Sequence, residues 1–281
     1  MGRITSYPNA TRFDSGDILI KDGTNGTKKI TAANAAREFA GLVHAKYHRN
    51  VLTKRNLGTS ITAAQLAAIN AGTFDDLYIG DYWTINDHSY TIADLDYLYN
   101  RYDSLTAEGS AAVNKHHLLL IPTANIGNQK MNDTNTTEGA YVGSKMYTEY
   151  LNEARQQIET DFGAMLLTHR DVFSTAVTDG VPSAHEFMDS KVDLMNEVMV
   201  YGHYAHSPNP AGVINHDHYT IDKEQLALFQ LDPTWLGRSS VWLRDVVSAS
   251  SFACVANYGN SYYLNASYAY GVRPYFLIGA A

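Results

Sequence analysis

Four histidines and an aspartate, His203, His206, His216, Asp217 and His218, fall within one polar stretch of this 281-residue sequence. Neutral imidazoles with a carboxylate suit zinc, and ligands two residues apart can chelate from a strand. The spacing matches no zinc signature, and Pro208, Pro210 and Gly212 do not oblige the two groups to meet. The stretch therefore reads as a polar loop, with neither a metal site nor a cofactor expected. His116 and His117 stand before an apolar run and read as a satisfied or surface pair. Cys254 is the single cysteine, which excludes an intrachain disulfide and a cysteine metal knuckle, and it reads as a packed or half-exposed thiol. Carboxylates are scattered, and no nucleophile elbow, Walker loop or dinucleotide glycine motif occurs, so an enzyme is not expected.

The chemistry that does concentrate is phenolic. The chain has 20 tyrosines against 9 phenylalanines and 3 tryptophans, although a buried Tyr must also place its hydroxyl. Six of the 20 lie between Tyr258 and Tyr275. From Asp245 to Ala281 the only charged residues are Asp245 and Arg273, and Lys, Glu, Gln, Met and Trp are missing. Tyr, Ser, Asn and Gly dominate instead, the types that recognition loops use for large amphipathic contacts at low entropy cost. An ordinary edge hairpin with cross-strand tyrosines is the other reading of the same composition. A net charge of -8 disfavours a sequence-independent nucleic-acid partner. No apolar run approaches membrane-spanning length, and the first residues carry no apolar leader, so neither membrane insertion nor secretion by a signal peptide is expected.

These residues need elements to hold them. Ile18–Ile20 and Lys28–Ile30 pair as a hairpin around two glycine turn signals, and Thr31 caps a helix through Ala35, Phe39, Leu42 and Val43. The basic stretch His44, Lys46, His48, Arg49, Lys54 and Arg55 reads as a solvated helix end and linker. Thr62 to Gln65 forms a capping box, with Leu66 and Ile69 following and Gly72 as the stop. Residues 78–85 and 89–93 alternate as paired strands, and His117 to Pro122 is a buried strand. Residues 125–137 read as loop. Val142 to Phe162 is the strongest helix, with Met146, Tyr150, Leu151, Ala154 and Ile158 on one face and Gly163 after it. Met195 to Tyr201 is a strand or short helix. Val241–Arg244, Phe252–Ala256, Ser261–Ala266 and Val272–Ile278 are strands, with Asn257–Asn260 as a turn.

Val241-Trp242-Leu243-Arg244-Asp245 and Gly271-Val272-Arg273-Pro274-Tyr275-Phe276-Leu277-Ile278-Gly279 frame the Tyr/Asn/Ser-rich middle. This frame resembles the C-terminal variable region of phage and prophage C-type-lectin-fold proteins, of the kind diversified by retroelements. Residues 78–83, 139–146 and 194–202 extend the resemblance over most of Gly58 to Ala281. A weaker similarity, to modules at the start of phage structural proteins, covers Phe13 to Gly41.

The resemblance implies an α+β, C-type lectin-like fold of the formylglycine-generating-enzyme type over residues 58–281, preceded by a small module, residues 1–57, for virion docking or oligomerisation. In such systems template adenines are miscopied and Asn codons are the targets. Changing their first two bases never reaches Lys, Glu, Gln, Met or Trp, the five types missing here. The implied variable segment is 245–275. Its displayed, ligand-binding residues are Ser251, Cys254, Ala256, Asn257, Tyr258, Asn260, Tyr262, Asn265, Tyr268 and Tyr270. Tyr263 is left out because strand alternation puts it opposite Tyr262. Trp242 and Leu243 pack inward, Arg244 and Arg273 hold the hairpin through carboxylate or carbonyl contacts, and Pro274 takes an edge or bulge position. No Glu-Pro-Asn or Gln-Pro-Asp triplet occurs, so calcium-dependent sugar binding is not implied. The expected protein is a homotrimeric receptor-binding component of the virion, at the tail, made in the bacterial host cytoplasm. Its partners are a host-surface protein or glycan and other virion proteins. A structural or capsid-decoration component is the alternative.

Overall fold

The computed structural model describes residues 18–21, 28–31, 49–103, 111–208, 221, 224–236 and 240–280. In chain order, β1 (Ile18–Lys21) and β2 (Lys28–Thr31) pair antiparallel as the expected N-terminal hairpin. The helix expected after Thr31 lies outside the described residues. Next come α1 (Ala63–Asn70), β3 (Tyr82–Ile85), β4 (His88–Leu95), β5 (Leu118–Pro122), β6 (Asn128–Gln129), α2 (Leu151–Phe162), β7 (His169–Thr178) and β8 (Val181–Ser190). They are followed by β9 (Val192–Leu194), α3 (Glu197–Tyr201), α4 (Ala227–Leu231), β10 (Val241–Ser248), β11 (Ser251–Val255), β12 (Ser261–Asn265), β13 (Tyr270–Gly271) and β14 (Pro274–Ile278). The fold is mixed α+β, mostly sheet.

Apolar runs become inner strands. Every residue of β5 and of β14 is buried, and the two lie side by side in a five-stranded sheet of order β3-β4-β5-β14-β9. Continuous apolar strands suit positions covered on both faces. Pro274 opens β14 opposite Leu194, where its missing N–H is tolerated at the first residue of an inner strand rather than at an edge. A second five-stranded sheet runs β12-β11-β10-β13-β6. The chain passes from it into the first through Gly271-Val272-Arg273-Pro274. A side chain at Gly271 would meet the Asn125 amide at 1.9 Å and the Ser240 carbonyl at 2.6 Å, so this crossing admits only glycine.

Local signals place the helices. Thr62 and Gln65 cap α1 reciprocally: the Gln65 amide reaches the Thr62 hydroxyl at 3.2 Å, and the Thr62 amide reaches Gln65 Oε1 at 2.9 Å. The helix expected over Val142 to Phe162 begins later, with a π-turn at Met146–Tyr150 that leads into α2. Tyr150, the last residue of that wider turn, packs at the margin of the smaller apolar cluster and donates its hydroxyl to Asp133 at 2.8 Å. Leu151 and Ala154 pack with Trp242 and Phe252, whereas Ile158 and Phe162 join the larger core around β4, β5 and β14. Burying such side chains contributes roughly 1.5–3 kcal/mol each. Asn196 caps α3 by accepting from the Met199 amide at 2.8 Å, which settles 197–201 as helix.

Two features depart from expectation. Of the basic stretch, Arg49, Lys54 and Arg55 lie among the described residues; the two arginines are clamps rather than a solvated linker, whereas Lys54 stays exposed. Arg49 pairs with buried Asp94 at 2.7 Å, Arg55 with buried Asp81 at 2.6 Å, and Lys54 with Asp232 at 2.5 Å. Leu52 and Asn56 bridge to Ile79 and Tyr82, so the packed unit extends N-terminal of Gly58. The other departure is the long hairpin β7–β8, turned at Asp179-Gly180 with φ of 52° and 77°. Two consecutive positive φ values are the mark of the turn that matches strand twist.

Candidate ligand-binding surface

β10 is the floor of the candidate surface. Trp242 and Leu243 are fully buried, as their apolar character requires, and the Trp242 indole donates to the Gln129 carbonyl at 2.8 Å. Arg244 is buried too. Its guanidinium pairs with Asp171 at 2.9 Å, reaches the Leu194 carbonyl at 3.3 Å and lies 4.9 Å over the Phe173 ring. Tyr275 donates its hydroxyl to the same Asp171 and receives His169 Nε2 at 3.0 Å. Burial pushes the Tyr275 and Tyr141 phenols well above their usual range, so both stay neutral donors. Arg273 reaches the Trp235 carbonyl at 3.5 Å, and burial lowers its pKa.

β11 and β12 form an uninterrupted antiparallel pair from Ser251↔Asn265 to Val255↔Ser261. β11 is one strand in from the edge. Ala253 and Val255 point into the larger core, whereas Phe252 and Cys254 point into the cluster with Trp242. Both faces of β11 are covered, so Ser251 and Cys254, expected on display, are buried. The Ser251 hydroxyl is spent on Asn265 Oδ1 at 3.1 Å. Burial pushes the Cys254 thiol up to about 12, which leaves it a poor nucleophile.

β12 is the edge, where the cover ends on both sides. Tyr262 and Tyr263 therefore both reach solvent, 47% and 45% exposed, and although alternation starts them on opposite sides of the strand, their rings turn past the edge and stack, 16° from parallel with centroids 5.6 Å apart. Tyr263 was excluded by alternation alone, which is blind to where a sheet stops. In the connecting turn Tyr258 is 87% exposed, flanked by exposed Asn257 and Asn260, with Ala256 half-buried. Beyond β12, Tyr268 is 54% exposed, Asn265 is half-buried, and Tyr270 is half-buried with its ring 5.4 Å from Trp242.

Three residues that the sequence did not assign to this surface, Glu197, His206 and Tyr201, shape it. Buried Glu197 accepts the His206 and Ser207 amides at 3.1 and 2.9 Å and the Ser261 hydroxyl at 3.3 Å. It ties the loop after α3 to the start of β12. That loop brings the His206 ring edge-on to Tyr263, with centroids 5.1 Å apart. The Tyr201 hydroxyl reaches the Gly259 carbonyl at 3.4 Å and steadies the turn. Nothing in the spacing of Glu197 from Ser261 could have signalled the contact, which depends on long-range pairing.

The other sequence candidates are placed apart from this hairpin. His203 bonds its own neighbourhood, Nδ1 to the Tyr201 carbonyl at 3.0 Å, while His216, Asp217 and His218 lie outside the described residues. Among the described residues no group of three or more His, Cys, Asp or Glu side chains is placed to hold a metal ion. His116 bonds Asp96 at 2.7 Å and stacks on Tyr99, and buried His117 sits between the Lys115 carbonyl and the Leu98 amide. No helix among the described residues is long and apolar enough to cross a membrane.

The surface thus offers exposed phenol rings, hydroxyls and carboxamides on a hairpin without ionic side chains, a set that binds by ring contact and hydrogen bonding. Compared with protein-family models, curated proteins and solved structures, the chain matches none.

Proposed function

We propose that this protein is a phage or prophage virion component that binds a host-surface ligand through the β11–β12 hairpin. The observation that carries the reading is the joint exposure of Tyr258, Tyr262, Tyr263 and Tyr268 on a hairpin whose inner strands are buried framework. Aromatic side chains grouped in water on an anchored scaffold support a binding role. The reading extends to a C-type lectin-like fold, a tail location, a homotrimer and diversification of the segment by a retroelement. A homotrimer would multiply a modest affinity through avidity.

Simultaneous Tyr258→Ala, Tyr262→Ala and Tyr268→Ala tests the site. The exposed rings contribute little to the core, so the variant folds, and particles carrying it lose adsorption. Unchanged adsorption would reject the surface. Diversification has its own test: a near-copy of the 3′ coding sequence, differing at adenines, beside a reverse transcriptase gene.

A further inference from the structure

The backbone of β12 points to a second recognition element. Ala256 N–H donates to the Asn260 carbonyl at 2.9 Å and Ala266 N–H to the Ser250 carbonyl at 2.8 Å. With the register Cys254↔Tyr262 and Phe252↔Leu264, these bonds turn the main-chain groups of Tyr262 and Leu264 toward β11. Those of Ser261, Tyr263 and Asn265 then face outward. The Ser261 carbonyl accepts from the Asn260 side chain at 3.3 Å, and the Asn265 carbonyl from the Tyr268 amide at 3.0 Å. Three N–H groups, on Ser261, Tyr263 and Asn265, and the Tyr263 carbonyl have no partner among the described residues.

Edges of this kind are normally blunted by charge, proline, bulges or shortness. The other edges of the two five-stranded sheets follow that rule, as does β8. β3 is covered, since the Leu57 amide donates to the Tyr82 carbonyl and the Thr84 amide to the Gly58 carbonyl. β6 and β9 have two and three residues. β8 carries Pro182, Glu186 and Asp189, with register shifts in its ladder. Ser-Tyr-Tyr-Leu-Asn has no charge and no proline, and its ladder has no bulge.

We infer that this open edge takes an extended peptide segment of the ligand as a sixth, antiparallel strand, which rests on the binding role proposed above. The residue opposite Tyr263 would exchange two main-chain bonds with it, and the Ser261 and Asn265 amides would donate one each. The Tyr262 and Tyr263 rings, stacked with centroids 5.6 Å apart beside the edge, would contact side chains of the added strand, so affinity comes from the backbone and selectivity from this pair of rings.

The test uses the full chain and a library of random linear octapeptides. Enriched peptides are measured against Tyr263→Pro, which deletes an outward N–H and leaves the β11 ladder, and Tyr263→Ala, which removes the ring alone. The expected result is at least a tenfold greater loss for proline than for alanine. A second measurement needs no variant: N-methylation along the peptide abolishes binding at alternate residues. Failure to enrich any peptide, equal loss in the two variants, or uniform tolerance of N-methylation would overturn the proposal. So would self-association of the wild type that Tyr263→Pro abolishes, which assigns the edge to a second copy. Loss of particle adsorption in the triple tyrosine variant, with no peptide enriched, would retain the surface and remove only the strand pairing.

Discussion

The Glu197 carboxylate receives the Ser261 hydroxyl at 3.3 Å, joining a buried acid of α3 to the first residue of the exposed edge strand. The same carboxylate holds two loop amides, so one side chain fixes the relative position of His206 and Tyr263. Hydrogen bonds to an ionised group are worth more than neutral ones, and buried donors left unpaired are penalised. Glu197→Ala is expected to lower unfolding free energy by about 3 kcal/mol. Glu197→Gln, which keeps one carbonyl acceptor, should lose less. Urea denaturation of the three proteins checks the order.

Arg244 and Asp171 give a second, sharper expectation. Both are buried, and Asp171 also serves the Tyr275 hydroxyl and the Val172 amide, the latter at 2.7 Å. Removing one partner of a buried pair strands the other charge, whereas replacing both with apolar residues of similar volume is often neutral. Arg244→Met alone should therefore destabilise by about 3–5 kcal/mol. Arg244→Met combined with Asp171→Leu should recover part of that loss, read as a positive coupling in a double-mutant cycle.

What the sequence disclosed and what it withheld divide by range. The capping box at Thr62 and Gln65, the buried run of β5 and the inward Trp242 are local signals, and each was legible. The β7–β8 hairpin turned at Asp179-Gly180 was not expected, because β7 and β8 lack a clean alternation of apolar residues. The rest depended on partners distant in sequence. Ser251 and Cys254 are interior because β11 lies second from a sheet edge, and Tyr263 is exposed because β12 lies at it. Ser251, Cys254 and Tyr263 do not themselves encode that rank, which a continuous apolar run such as β5 does suggest. Arg49 and Arg55 looked solvated for the same reason: Asp94 and Asp81 reach them only in the fold.

The burial of Cys254 limits what that position can accept. The thiol packs among Trp242, Phe252 and Leu264, with no solvent exposure. Maleimide should label it in the native protein no faster than global unfolding allows, and fully in denaturant. Cys254→Tyr, a change that a displayed position would accept, should destabilise by about 1–3 kcal/mol through overpacking. Tyr258→Cys, at the exposed turn, should label within minutes and leave the melting temperature unchanged. Rapid native labelling of Cys254 itself would return it to the displayed set.

His117 makes stability depend on pH in a direction that can be worked out. Its Nε2 accepts the Leu98 amide at 3.2 Å, so Nδ1 carries the proton and donates to the Lys115 carbonyl at 2.9 Å. A second proton would break the Leu98 bond. Burial, the largest cause, lowers the pKa from 6.5 to about 4, and the Lys115 carbonyl and then Asp96 oppose it only in part. Between those values the unfolded chain binds the proton and the folded chain does not. The contribution is therefore fully present above pH 6.5 and is lost as pH falls toward 4, by about 3 kcal/mol at the lower end. His169 and His185, also lowered to about 4 chiefly by burial, act in the same direction. His117→Gln keeps a donor and an acceptor but cannot titrate. Its unfolding free energy should fall less steeply than that of the wild type between pH 7 and pH 4.5, by up to one proton in the slope. Parallel slopes for the two proteins would show that His117 is not the group responsible.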